Sequence, residues 1–304
     1  MDAIKLNDLS KSYGKKFAVN HLNMVVPEGS IYGFIGQNGA GKSTTQKMVC
    51  GLTPQTSGDM QLFGKPQTDA EIRSRVGMLI ENAGAYPSMT AYENMKLYGL
   101  AIGVEHLEEE IGRVLKLVGL ADTGKKKVKQ FSLGMKQRLG IAIALLGNPK
   151  LLILDEPING LDPQGIIEFR EIMLKLNKEL GMTILISSHI LGELSKISTH
   201  YGIIKDGTMV KEMTADDLET TCQNYMCIRL EQAKEAAGKI QKTFSFEKCD
   251  LVEGKELHLL GSAADTKEVG KYLYQNGYEL EEIYMHKQDL EEYFLGLMGG
   301  VKNA

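Results

Sequence analysis

No stretch of this sequence offers the ~20 continuous apolar residues that a bilayer-spanning helix requires. The best run, Ile141–Leu154, is broken by Asn148, Pro149 and Lys150, so the chain is not expected to form a pore on its own. Cysteine is scarce. Cys50, Cys222, Cys227 and Cys249 show no zinc-type spacing, and no secretion signal precedes them; the expectation is reduced thiols in a reducing cytosol. An excess of positive charge is also missing. The net charge is -4, which speaks against a general polyanion binder. Tandem repeats, low-complexity tracts, long linkers and heptad runs are absent, which excludes solenoid and coiled-coil architectures.

What is present is an ordinary globular composition. The chain has 304 residues, 43% hydrophobic and 24% charged, enough for about two domains at ~150 residues each. The charge divides unevenly. From Lys211 onward 11 basic residues face 18 acidic ones, while the first 210 residues hold 24 against 21. The asymmetry reads as an acidic C-terminal unit, or as a solvated acidic surface.

Ile4, Leu6 and Leu9, then Phe17, Val19, Leu22, Met24 and Val26, recur with a period near two, the pattern of antiparallel strands. A Pro27-Glu28-Gly29-Ser30 turn leads into the apolar run Ile31–Gly36, a buried strand ending at glycine. After Lys42 the pattern turns helical and stops at Gly51. Val76–Ile80, Leu151–Asp155 and Thr183–Ser187 read as buried strands and Ile166–Leu180 as the helix between the last two. This alternation predicts a mostly parallel α/β sheet, with the helical stretch 88–146 inserted into it. Past Gly207 the pattern predicts strand Tyr225–Leu230, helix Gln232–Gln241, strands Thr243–Val252 and Glu256–Leu260, helix Thr266–Gln275, strand Tyr278–Met285 and helix Lys287–Met298. That β-α-β-β-α-β order is ferredoxin-like.

Four motifs carry chemistry. Gly36, Gln37, Asn38, Gly39, Ala40, Gly41, Lys42, Ser43 and Thr44 fit G-x-x-x-x-G-K-[ST]. Glycines let backbone wrap phosphates, successive N–H groups form an anion nest at a helix start, Lys42 supplies a point charge, and the Ser43 hydroxyl is a hard ligand for Mg2+. In Leu151–Pro157, four apolar residues place Asp155 and Glu156 at the C-terminal edge of a buried strand, where ligands bind in open parallel sheets. Asp155 suits Mg2+ and Glu156 suits the attacking water. Phe131–Arg138 puts Ser132 at the cap of an apolar helix. His189 follows the strand Thr183–Ser187 and is placed for a γ-phosphate, although a lone histidine is more often structural.

In this order, the residues from about Ile4 to Val210 resemble ABC ATPases. The resemblance implies a P-loop NTPase core spanning 1–214, with a helical subdomain at about 88–148, followed by a small α+β accessory domain over 215–304. It implies ATP and Mg2+ as ligands. Tyr13 falls where the family stacks a ring on adenine, and Gly36–Thr44 match Walker A. Leu151–Glu156 match Walker B, with Glu156 as the catalytic carboxylate beside Lys42 and His189, the switch histidine. Ser132, Leu133, Gly134 and Met135 match the signature, which the family presents to the partner's ATP across a homodimer. Asn159, Gly160, Leu161 and Asp162 match the D-loop. Ser43, Asp155 and Glu81 are the implied metal ligands. Two departures stand out. Leu133 and Met135 replace a glycine and the glutamine of L-S-G-G-Q, and Glu81 replaces the glutamine of the Q-loop region Val76–Asn94.

Glu81 and the C-terminal extension resemble the bacitracin-resistance and lantibiotic-immunity exporters. The implied function is a cytoplasmic ATPase on the inner face of the cell membrane, working with permease subunits to export peptide antibiotics, with no nucleic-acid partner. A small-residue surface, Ala83–Met89, would receive a permease helix, or is an ordinary packed loop. The alternatives are an ABC exporter for ions or other drugs, an importer subunit, and a soluble ABC ATPase acting on ribosomes or DNA. A single Walker A and an acidic balance oppose the last.

Overall fold

A computed structural model describes residues 1–81, 84–221, 225–261, 264–286 and 290–297. The described chain divides into two compact units, Met1–Ala215 and Asp216–Ala304. Cys222 and Ala83 lie outside the described residues, as do the two ends of the helix expected at Lys287–Met298.

The first unit opens with β1 (Asp2–Tyr13) and β2 (Lys16–Pro27), the antiparallel pair that the alternation predicts. β3 (Ile31–Ile35) and α1 (Lys42–Val49) follow, and then β4 (Ser57–Leu62) and β5 (Lys65–Pro66) join β1 and β2 in a four-stranded sheet of order β2-β1-β4-β5. Next come α2 (Ala70–Arg73) and β6 (Val76–Leu79), followed by helices α3 (Ala91–Ile102), α4 (Leu107–Leu117) and α5 (Leu133–Leu145). The chain then continues through β7 (Leu151–Asp155), α6 (Pro163–Leu180), β8 (Thr183–Ser188), α7 (Leu191–Leu194), β9 (His200–Lys205) and β10 (Thr208–Thr214). The larger sheet has the order β10-β9-β3-β8-β7-β6. All its pairs are parallel except β9 with β10. Leu6, Leu9, Leu22 and Met24 of the smaller sheet bury against Phe34, Met48, Leu151 and Ile153, so the core lies between the two sheets.

Register decides where chemistry sits. Ile35 pairs with Ser188, Asp155 with Ser187, and Leu79 with Leu154. The carboxyl ends of β3, β6, β7 and β8 therefore form one edge, and each hands the chain to a motif there. α6 begins at Pro163, three residues before the expected start. Asp162 caps it by accepting from the Gly165 N–H, and proline at the first turn loses no helical hydrogen bond.

The second unit holds α8 (Ala215–Thr221, starting at the division), β11 (Tyr225–Leu230), α9 (Ala233–Phe244), β12 (Lys248–Val252), β13 (Glu256–Leu260), α10 (Thr266–Gln275), β14 (Leu280–His286) and α11 (Leu290–Leu297). The sheet order is β12-β13-β11-β14 with every pair antiparallel, the arrangement of a ferredoxin-like split β-α-β unit. Its core joins Met226, Ile228 and Leu257 to Ala236, Ile240, Val269 and Leu273 of the two crossing helices. Thr243 and Phe244, expected in a strand, end α9 instead. Ser245 takes a left-handed φ of 54° there, and the strand starts only at Lys248.

Candidate functional site

The loop from β3 to α1 is built for close backbone approach. A Cβ on Gly36 would lie 2.5 Å from the Ile204 carbonyl oxygen, and one on Gly41 would lie 2.6 Å from that of Ala18, at a φ of +111°. Gly41 caps α1 without any side-chain hydrogen bond, so the first N–H groups of α1 are left to a ligand. Lys42 is almost fully buried. It donates to the Gly36 carbonyl at 2.6 Å and the Gln37 carbonyl at 3.3 Å. Ser43 and Thr44 follow, half-buried, on the first turn, while Gln37, Asn38 and Gly39 are exposed and Ala40 is buried. Gln46 ties this helix to the neighbouring strand by donating to the Leu154 carbonyl at 3.1 Å.

At the end of β7, Asp155 is buried and accepts from the Ser187 hydroxyl at 2.6 Å. The Glu156 N–H donates to the same hydroxyl at 3.0 Å. Ser187 thus holds the Asp155 carboxylate and the Glu156 backbone, although nothing in the motifs singled it out. Its only sequence signal was its place on the strand beside the acid-tipped one. Glu156 takes a φ of +47°, a region that costs a non-glycine residue of order 1 kcal/mol and clusters at functional sites. That backbone turn leaves Glu156 Oε2 2.7 Å from His189 Nδ1 and Oε1 3.2 Å from Lys42 Nζ. The contact with Lys42 is an ion pair without hydrogen-bond geometry, so Oε1 is a buried acceptor with no donor among the described residues. Lys42, Glu156 and His189 therefore form one cluster.

Glu81 stands just beyond β6 with a φ of +67°. Its carboxylate pairs with Lys47 Nζ at 2.6 Å, an exposed contact from the last turn of α1. The pairing raises the Lys47 pKa, chiefly through the hydrogen bond that Lys47 donates to Glu81. The same helix ends at Cys50, whose thiol is pushed up to about 12 by burial and then by the Asp155 carboxylate, so it stays protonated. Tyr13 is exposed, with Lys11 Nζ 5.1 Å from its ring centre. It lines an open cleft of ≈ 330 Å³ together with Phe17, Ala18 and Gly39.

Ser132 caps α5, its hydroxyl accepting from the Met135 N–H at 3.2 Å. Leu133 is half exposed and reaches the D-loop, where a Cβ on Gly160 would lie 3.1 Å from it. Gly134 faces Leu161, and Met135 Sδ lies 3.8 Å from Lys126 Nζ. Asn159 and Leu161 turn the chain tightly by donating to the Glu156 and Ile158 carbonyls. Among the described residues, no hydrogen bond or ion pair joins Ser132 or Gly134 to the loop Gly36–Thr44. A groove of ≈ 670 Å³ runs between Glu81, Asp155 and Glu156 on one side and Leu133 and Gln137 on the other; Ala85 and Pro87 also line it. The stretch 86–90 is anchored to α3 through buried Asn94, which accepts from the Tyr86 N–H at 2.7 Å and donates to the Thr90 carbonyl at 2.8 Å.

The arrangement fits a nucleoside triphosphate with a divalent cation. It offers an uncapped helix start, a glycine cradle, a buried lysine, a hydroxyl and a carboxylate for the ion, and a buried carboxylate oxygen in want of a donor. Residues 19–159 match the ABC transporter family. The chain is 42% identical to the bacitracin transport ATP-binding protein BcrA of Bacillus licheniformis, over 98% of this chain and 97% of that protein. It is 48% identical over 216 residues to the lantibiotic transport ATP-binding protein SrtF of Streptococcus pyogenes, 71% of this chain and 93% of the relative. Among solved structures, an ATP-binding subunit of an ABC transporter superposes with a TM-score of 0.64 and 31% identity, covering 72% of this chain and 92% of the other. A dimeric ATP-binding cassette in a post-hydrolysis state, bound to ADP and Pi, superposes with a TM-score of 0.63 and 26% identity over 70% of this chain and 98% of its own.

Proposed function

The chain belongs to the ABC transporter family as an ATP-binding subunit, and from that premise we propose that it is the ATP-hydrolysing motor of an exporter that clears peptide antibiotics of the bacitracin or lantibiotic kind from the membrane. One observation carries the reading. The likeness to a bacitracin transport protein runs through 98% of the chain, so it takes in the acidic C-terminal unit as well as the cassette. Glu81 in place of the family's glutamine supports the same subgroup.

In this reading the residues divide the work as follows. The N–H groups at the start of α1 and the Lys42 ammonium hold the β- and γ-phosphates. Ser43, Asp155 and Glu81 are the residues that would hold Mg2+, which when bound polarises the phosphoryl oxygens. Glu156 accepts a proton from the attacking water at Oε1, while His189 fixes Oε2 and so aims the carboxylate. Tyr13 stacks on the base. Ser132 and Gly134 act on the ATP of a second copy, with Leu133, Met135 and Asn159–Asp162 shaping that interface. Permease subunits bind the groove beside Glu81, which places the motor on the inner face of the cell membrane. No helix among the described residues is long and apolar enough to cross a membrane, so the translocation path has to come from those partners.

The test is protection of a sensitive host expressing the chain with its neighbouring permease, challenged with bacitracin, a panel of lantibiotics and unrelated drugs. Protection confined to the peptide antibiotics is expected. Glu156→Gln should abolish it while keeping ATP binding, since loss of a general base slows hydrolysis ~10²–10⁴-fold. Protection only against unrelated drugs or ions would overturn the cargo and leave the motor intact. Near-normal hydrolysis by Glu156→Gln would remove Glu156 from its role.

A further inference from the structure

The sheet of the second unit has one face on its apolar core, through Met226, Ile228, Leu257 and Leu259. Side chains alternate along a strand, so Cys227, Arg229, Glu256 and His258 share the opposite face. Cys227 is the cross-strand partner of His258, and Arg229 of Glu256. On the other flank, Cys227 pairs with Tyr284 of β14, whose hydroxyl shares a hydrogen bond with the thiol. A ladder of cross-strand charge pairs would account for Arg229 and Glu256. It gives no reason for a thiol at the centre of a polar row, 2% exposed and flanked by an imidazole.

We propose that this face binds one borderline-soft divalent ion of the zinc class, ligated by Cys227 Sγ, His258 Nε2 and Glu256 Oε1, with the fourth position open. One donor atom from each of the three residues lies within 4.8 Å of the others. Ligand bonds of ≈ 2.0–2.3 Å around one tetrahedral ion set donor atoms ~3–4 Å apart, so small side-chain rotations gather them. His258 Nε2 and Glu256 Oε1 are now 2.7 Å apart, bridged by a proton. The ion takes the place of that proton, which moves to the other ring nitrogen, and the thiol proton leaves for solvent. Arg229 holds Oε2 at 2.7 Å, which leaves Oε1 to the ion and fixes the carboxylate plane. Charge also closes. Thiolate and carboxylate cancel the two charges of the ion, and Glu282 at 3.4 Å faces Arg229. Half-buried His258 and Glu256 leave a way in from solvent. The ligands come from two strands brought together by pairing, which is why no zinc-type spacing marks them in the sequence.

The full chain, reduced and stripped with a chelator, is titrated with Co2+ alone in excess Mg2+ without nucleotide. One Co2+ per chain is expected, with visible d–d bands and a near-ultraviolet thiolate-to-metal band, both lost when one equivalent of Zn2+ is added. Cys227→Ser should remove the thiolate band. His258→Gln, at a half-buried position and the variant to use if the serine variant folds poorly, should weaken binding at least ~10-fold. ATPase activity should persist in both, which separates this site from the nucleotide site. Absence of the thiolate band, its persistence in Cys227→Ser, or unchanged affinity in His258→Gln would overturn the proposal.

Discussion

At the scale of single residues, the nucleotide edge is organised by two acids in strained backbone. Glu156 at φ +47° and Glu81 at φ +67° both turn where a strand ends, and each is held by a lysine from the same helix, Lys42 or Lys47. The two pairs differ in burial. Lys42 is buried, whereas the Lys47–Glu81 pair is exposed, and exposed pairs contribute only ~0.2–1 kcal/mol. If Glu81 serves Mg2+, Lys47 competes for the same carboxylate. Lys47→Ala should then lower the Mg2+ concentration for half-maximal ATPase activity by roughly 2–5-fold, the span such an exposed pair allows. Glu81→Gln should shift it modestly the other way while leaving an active enzyme. Identical Mg2+ titrations for wild type, Lys47→Ala and Glu81→Gln would make Glu81 a surface acid with no part in metal binding. The order of motifs was enough to pick out Lys42, Glu156 and His189, which fold into one cluster. Ser187 and Lys47 were silent, because a serine in a strand or a lysine in a helix carries no pattern until pairing across 32 or 34 residues gives it a partner.

At the scale of elements, strongly patterned segments were legible and their edges were not. The buried strands β3, β7 and β8 are short apolar runs and were read directly. The hairpin β9–β10 went unread, although its Asp206-Gly207 turn, with φ of +49° and +80°, is the two-residue signal for such a hairpin. Phe244 was read into a strand, yet burial of the apolar side of α9 carried the helix as far as Phe244. The start of α3 yields a test. Thr90 and Glu93 form a reciprocal capping box, the Glu93 carboxylate accepting from the Thr90 N–H at 2.6 Å, and Lys127 lies 3.0 Å from it. The Thr90 N–H first, and then Lys127, hold the Glu93 carboxyl below its usual range. A folded pKa below the unfolded value means that the stabilisation is present above the unfolded value of about 4.3 and is lost as pH falls through the folded one. Glu93→Gln keeps a capping side chain without the proton equilibrium. Urea midpoints of the two proteins should diverge above pH ~5 in favour of wild type and converge below pH ~3. A constant difference across that range would rule out the linkage.

At the scale of the whole molecule, each unit has its own core, Ile4 to Ile204 in one and Met226 to Tyr278 in the other, and every residue proposed to face phosphate lies in Met1–Ala215. We therefore expect a chain ending at Ala215 to bind ATP as the full chain does. Loss of nucleotide binding in such a chain, with its circular dichroism intact, would show that the second unit helps to build the site. In the proposed homodimer, one cassette supplies only part of each site. Lys42, Glu156 and His189 converge from three elements, whereas among the described residues the Ser132 hydroxyl meets only the Met135 N–H of the helix it caps. A helix start favours an anion, and in the homodimer proposed above that anion would be the γ-phosphate held by the other copy. On that proposal the molecule has two separable affinities: one chain for ATP, and the ATP-loaded chain for its twin. Glu156→Gln should hold ATP without turnover and run as a dimer in light scattering when ATP is present, and as a monomer without it. Adding Ser132→Asp places a carboxylate against the partner's γ-phosphate, and like charges so close cost several kcal/mol. The double variant should bind a fluorescent ATP analogue as tightly as the single one and yet stay monomeric with ATP. If it dimerises normally, Ser132 is only a helix cap and the shared site is wrong. If it loses the analogue as well, Ser132 acts on the ATP of its own chain.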